Sequence, residues 1–121
     1  MTLKFEEKWE RTISDGDRTM FLNVYENNPI QEGKLQFVPV RAAFNHRDCL
    51  LASVIILNGE QDWKLQKQNL FYFEGQELLA EGCFTHQSLT VPYGKAVPWT
   101  FIFQTPSLIR RPSLQNWKIT I

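Results

Sequence analysis

Apolar and polar residues alternate in several stretches of the chain, and the clearest alternation lies between Leu70 and Phe84. Leu70-Phe71-Tyr72-Phe73 is an apolar run rich in aromatics, which favour strands. Glu74-Gly75-Gln76 interrupts it, and Gly75 can take the positive φ of a tight hairpin. From Leu78 the pattern returns, with Leu78, Ala80, Gly82 and Phe84 on one face and Leu79, Glu81 and Cys83 on the other. This predicts a hairpin in the middle of an antiparallel sheet.

The same reading extends along the chain. Leu35–Phe44 alternates Phe37, Pro39, Arg41 and Ala43 with Val38, Val40 and Ala42, and Pro39 marks it as an edge strand or a bulged one. Cys49–Leu57 is apolar on both faces, as a strand between two layers is. Asn58-Gly59 is the strongest turn dipeptide. Trp63–Leu65 reads as a short strand or a bulge, and Thr85–Pro98 reads as a long loop with Pro92, Gly94 and Pro98. Trp99–Phe103 places Trp99, Phe101 and Phe103 on one face, and Trp117–Ile121 turns Trp117, Ile119 and Ile121 inward as a closing strand.

The period changes in residues 1–28, which read as a helical part. Phe5 and Trp9 can share a helix face. Ser14 offers an N-cap, with Asp15 and Asp17 favourable at a positive helix start. A helix from Asp15 to Glu26 follows, with an apolar stripe of Met20, Phe21, Val24 and Tyr25, ended by Asn27-Asn28-Pro29. Together this predicts one domain over residues 1–121. Residues 35–121 form a mostly β, antiparallel, immunoglobulin-like sandwich of six or seven strands, with the helix packed on it.

Composition narrows the function classes. Lys+Arg and Asp+Glu are each 13, so the formal charge is zero. That removes the electrostatic case for nucleic acid or an anionic membrane, both of which call for clustered positive charge. No apolar run approaches the roughly 20 residues of a membrane span. Residues 1–11 are charged and lack the apolar core of a signal peptide, so a cytoplasmic location is expected. The two cysteines, Cys49 and Cys83, could pair in a secreted domain. Two free, half-buried thiols are the expectation, because free Cys is among the most buried residue types.

Candidate chemistry is sparse. Asn45-His46-Arg47-Asp48-Cys49 puts an imidazole, a carboxylate and a thiol in one turn. A thiol enzyme needs the base within reach of the sulfur and a third group orienting the base. Adjacent turn residues seldom aim at one point, so a solvated turn is the competing reading. Trp63, Tyr93 and Trp99 could line a sugar-binding groove, against the alternative that they pack in the core. His86 is isolated, Glu6-Glu7 and Glu77/Glu81 pair carboxylates in number only, and neither C-x-x-C spacing nor a glycine-rich phosphate loop occurs. Catalytic, cofactor-binding and metal-ligating residues are therefore expected to be none, with no small-molecule ligand.

Several of these stretches carry a resemblance. Ala52 through Asn58-Gly59, Leu70–Phe84, Val91–Phe101 and Trp117 resemble the SLAP domain, and Trp9-Glu10 with the Ser14 helix start resembles its beginning. Ala80–Phe84 and Pro98-Trp99-Thr100-Phe101 are the most telling pieces. The resemblance covers nearly the whole chain, and its motifs are structural. That domain occurs, often as a tandem pair, in the S-layer assembly protein of the accessory Sec system of Bacillus-like bacteria. The resemblance implies a non-enzymatic interaction module, here a single stand-alone copy, linked to protein export or to S-layer and cell-envelope assembly. It would bind a protein partner or itself by adding a strand at the Val38-Pro39-Val40 edge or at the last strand. A carbohydrate-binding sandwich and a small thiol enzyme using Cys49 and His46 are the alternatives.

Overall fold

The computed structural model describes residues 2–3 and 14–121. The expected Phe5/Trp9 helix face, the Glu6-Glu7 pair and the Trp9-Glu10 motif lie outside the described residues. Among those described, nine strands and one α-helix follow in the order β1 (Thr2–Leu3), α1 (Asp15–Glu26), β2 (Leu35–Phe44), β3 (Leu50–Asn58), β4 (Trp63–Lys64), β5 (Gln68–Glu74), β6 (Glu77–Phe84), β7 (Thr90–Val91), β8 (Lys95–Phe103) and β9 (Trp117–Thr120). A 3-10 turn, Thr105–Ser107, follows β8. The N-terminal part expected to be helical thus contains a strand, β1, which pairs in parallel with Lys95 and Ala96 of β8.

Strands β1-β8-β3-β2 form one sheet, β6-β5-β9 a second, and β4-β7 a small ribbon. The two larger sheets share a core. Leu50, Ala52, Val54 and Ile56 of β3, with Val97, Trp99, Phe101 and Phe103 of β8, meet Leu70, Tyr72, Leu79, Ala80 and Ile119 of the second sheet. Edge-to-face ring contacts fill the gap: Phe84 lies 5.3 Å from Phe101 and 5.1 Å from Phe103, and Tyr72 lies 6.1 Å from Phe103. The architecture is mostly antiparallel and sandwich-like, as expected. Beside the two antiparallel sheets stand the parallel β1–β8 pair and the β4-β7 ribbon.

β3 is apolar on both faces because both faces are covered. Ile55 and Leu57, alternating with the residues above, join Ala96 and Phe21 in a second core beneath α1. The helix has the predicted limits. Ser14 Oγ accepts from Asp17 N at 3.1 Å, and Asp15 and Asp17 occupy the first turn. Met20, Val24 and Tyr25 pack beside Phe21 on Val38 and Val40.

Breaks in alternation show where tertiary packing overrides pattern. The β2–β3 register shifts between Pro39 and Arg41. One extra residue exchanges the faces, so Phe37, Ala42 and Phe44 point into the inter-sheet core while Val38 and Val40 point to the helix. A second shift, between Tyr72 and Phe73, leaves Leu79 as the extra residue of β6. Leu79 is fully buried beside Ala80 rather than on the opposite face from it. The expected loop over Thr85–Pro98 holds β7 and the first half of β8 instead. Pro98 lies within β8, opposite Ile55 of β3. Ile121, expected inward, lies beyond β9 and is 57% exposed.

Asn58-Gly59 does not form a two-residue hairpin. Asn58 is fully buried at the end of β3, where its amide donates to the carbonyls of Gln61 and Val91 and accepts from Glu60 N. Gly59 exchanges backbone hydrogen bonds of 2.7 Å with Gly33 and Lys34, and a Cβ there would sit 1.9 Å from the Gln31 carbonyl oxygen. The dipeptide therefore joins three loops. Asn58→Ala should lower stability by about 2–3 kcal/mol, from stranding the buried Val91 carbonyl and its neighbours. Gly59→Ala should lower it at least as much through the backbone clash, both read by equilibrium urea unfolding. A loss under about 1 kcal/mol for both would show that the junction is not rigid.

Candidate functional site

The 45–49 turn is built by Asn45, whose side-chain oxygen accepts from Arg47 N at 2.9 Å and Cys49 N at 3.0 Å. Asp48 takes φ 60° to close it. This geometry sends the three candidate groups apart. His46 is exposed. The Asp48 carboxylate faces the Arg111 guanidinium at 3.7 Å. Cys49 is buried beneath the 3-10 turn, its thiol 3.4 Å from Gln104 Oε1. Among the described residues no hydrogen bond joins His46 to Cys49, so the turn lacks the base-to-thiol contact that a nucleophile requires.

The three candidate aromatic rings are also separated. Trp99 is buried in the core with the His86 ring edge-on at 4.9 Å, and Trp63 packs edge-on to Phe37 at 5.9 Å. Tyr93, 48% exposed, borders a surface hollow with Glu32, Gly59, Glu60, Gln61 and Asp62. Its hydroxyl donates to Glu32 Oε2 at 2.6 Å and its backbone N–H to Asp62 Oδ1 at 2.8 Å. The bond to Glu32 raises the Tyr93 phenol above its ordinary pKa, as do desolvation and the carboxylate charge. Three carboxylates rim this hollow, yet among the described residues no three His, Cys, Asp or Glu groups gather as metal ligands. His86 is occupied locally, its Nδ1 within 2.9 Å of Ser88 Oγ. Glu77 pairs with Arg110 through two hydrogen bonds, of 2.8 and 2.6 Å.

The densest polar cluster was not visible in the sequence. Glu74, at the end of β5, accepts from Ser113 N at 3.0 Å, Ser113 Oγ at 2.9 Å, Leu114 N at 2.8 Å and the Tyr72 hydroxyl at 2.7 Å. Leu114 and Asn116 take positive φ to reach it, and Gly75 N donates to the Asn116 carbonyl. The carboxylate thus ties the hairpin turn to the loop that delivers β9 to the edge of β5. Thirty-nine residues separate Glu74 from Ser113, and no local pattern announces such a contact. Desolvation alone would raise the Glu74 pKa, but the donors from Ser113, Tyr72 and Leu114 outweigh it and hold the carboxyl below its usual range. Burial first, then the bond to Glu74 and its charge, push the Tyr72 phenol far above its own. This cluster anchors a fold; it presents no open reacting centre.

Comparison with known proteins adds one finding. The family model described as SLAP domain matches residues 3–121. No curated protein and no solved structure matches the chain.

Two measurements follow from the geometry. The native Glu74 pKa lies below its unfolded value, so the carboxylate's contribution is complete above about pH 4.3 and is lost as pH falls through the native pKa. Glu74→Gln should cost about 2 kcal/mol at neutral pH and flatten this acid limb of a stability-versus-pH curve; an unchanged limb would contradict the assignment. Both thiols are free, Cys49 buried and Cys83 exposed. With a thiol-specific disulfide reagent, Cys83 should react promptly in the folded protein and Cys49 only on unfolding. Prompt reaction of both would reopen the thiol-enzyme reading.

Proposed function

Because the chain belongs to the SLAP domain family, we propose that it is a non-enzymatic, protein-binding module serving protein export or the assembly of the S-layer and cell envelope, and that it acts from the cytoplasm of a Bacillus-type bacterium. The family match over residues 3–121 carries this reading. Two features support it. Of the three rings that could have lined a groove, Trp99 and Trp63 are used in packing, which leaves Tyr93 alone at the surface. The imidazole, carboxylate and thiol of the 45–49 turn point to three different surroundings.

β9 lies within 8 Å of β2 along the side where the two sheets meet. The edge strand that carries Val38-Pro39-Val40 and the final strand are thus neighbouring sheet edges, and they are the surface this reading offers to an added strand.

The test is deletion of the gene in its native host, with surface proteins labelled by a membrane-impermeant reagent. The proposal expects exported surface protein to fall and its precursor to build up inside, with rescue by the wild-type chain and also by Cys49→Ser and His46→Ala. Unchanged export overturns the export role, and failure of Cys49→Ser with His46→Ala to rescue overturns the non-enzymatic one.

A further inference from the structure

The face of β6-β5-β9 turned away from the core is organised around β5. Leu70 and Tyr72 point inward and are fully buried, so Phe71 and Phe73 point outward. Across the ladder Phe71 pairs with Glu81 on β6 and Thr120 on β9, and Phe73 pairs with Leu78 and Lys118. Phe71, Phe73 and Leu78 are half-buried, and Glu81 and Lys118 are exposed. Lys118 Nζ lies 5.5 Å from the centre of the Phe73 ring, which places it on this outer face. A shallow hollow lined by Asn69, Phe71, Glu81 and Cys83 opens beside Glu81.

We propose that this face binds a second copy of the chain about a two-fold axis that passes between Phe71 and Phe73 and brings Glu81 of each copy to Lys118 of the other. The argument is charge complementarity. One acidic and one basic group sit at opposite ends of a single diagonal, with the apolar pair between them. A partner of one charge sign is attracted at one end and repelled at the other. A second copy, rotated about an axis perpendicular to that diagonal, meets both ends with the opposite charge, as an isologous contact requires. The hollow beside Glu81 gives room for the incoming ammonium. The chain's zero formal charge removes long-range repulsion between copies.

The face is small. Three strands about 4.8 Å apart and five residues of about 3.3 Å give an area well below the roughly 800 Å2 per partner of a stable dimer. The association is therefore transient and concentration-dependent. It deepens the interaction-module reading by naming an occupant, and rests on that reading.

Sedimentation velocity of the full chain, from dilute to its highest soluble concentration, tests it. A reversible dimer that weakens with added salt is expected. Glu81→Lys alone and Lys118→Glu alone should each weaken association about tenfold or more, and the double exchange should restore it. A monomer at every concentration, a dimer indifferent to salt, or a double exchange that fails to recover dimer overturns the proposal. The export assay reads the module separately. A Glu81→Lys chain that stays monomeric yet restores export leaves the module reading standing and removes any role for the second copy in it.

Discussion

A strand with no polar face cannot lie at a surface, and β3 is such a strand. Its nine residues are buried apart from Leu51, which is half-buried. Water must therefore be kept from both sides of it. Fully burying one aliphatic side chain contributes about 1.5–3 kcal/mol, so exposing either face would cost a large part of the stability that a domain has in reserve. The sandwich supplies one cover and α1 the other. Flanking strands β2 and β8 follow, since a central strand needs hydrogen-bonding neighbours on both edges.

That constraint explains the two bulges. The extra residue in β2 exchanges the faces of its outer half, which lets Phe37 and Phe44 enter the inter-sheet core from either side of the shift. The extra residue in β6 puts Leu79 and Ala80 into the same core. The second sheet still needs its third strand, and the chain reaches β9 only through a loop with Leu114 and Asn116 at positive φ. Strain of that kind persists where surrounding contacts over-determine it. Three hydrogen bonds from the loop to one carboxylate, Glu74, and the Gly75 N–H to the Asn116 carbonyl do so here.

Much of this is local and was legible. The 3.6-residue period with Ser14 as cap located α1, the double-sided apolarity of β3 located the centre, and Pro39 marked its strand as either an edge or a bulged one. What was not legible is non-local. Asn58-Gly59 reads as a local turn from its neighbours alone, but the Gln31 carbonyl and the Val91 backbone, far away in sequence, decide its geometry. Pro98 reads as a loop breaker until β3 is placed beside it. Glu74 reads as a turn residue because its donors come from the other end of the chain. The candidate chemistry failed for a related reason. Proximity in sequence brought His46, Asp48 and Cys49 into one turn, while Arg111 and Gln104 determine where the carboxylate and the thiol face. The chain's remaining distinctive surface lies on the outer side of β6-β5-β9, where alternation leaves an aromatic pair with an acid and a base at its ends.

Ile55 and Ile56 give the most direct test of two-sided burial. They are adjacent, chemically identical and both 0% exposed, one under α1 and the other between the sheets. Equilibrium urea unfolding of Ile55→Ala and Ile56→Ala should show losses of about 2–5 kcal/mol for each. A loss below about 1 kcal/mol for Ile55→Ala beside a large one for Ile56→Ala would mean that the helix layer does not bury β3, and the account of the fold would be wrong.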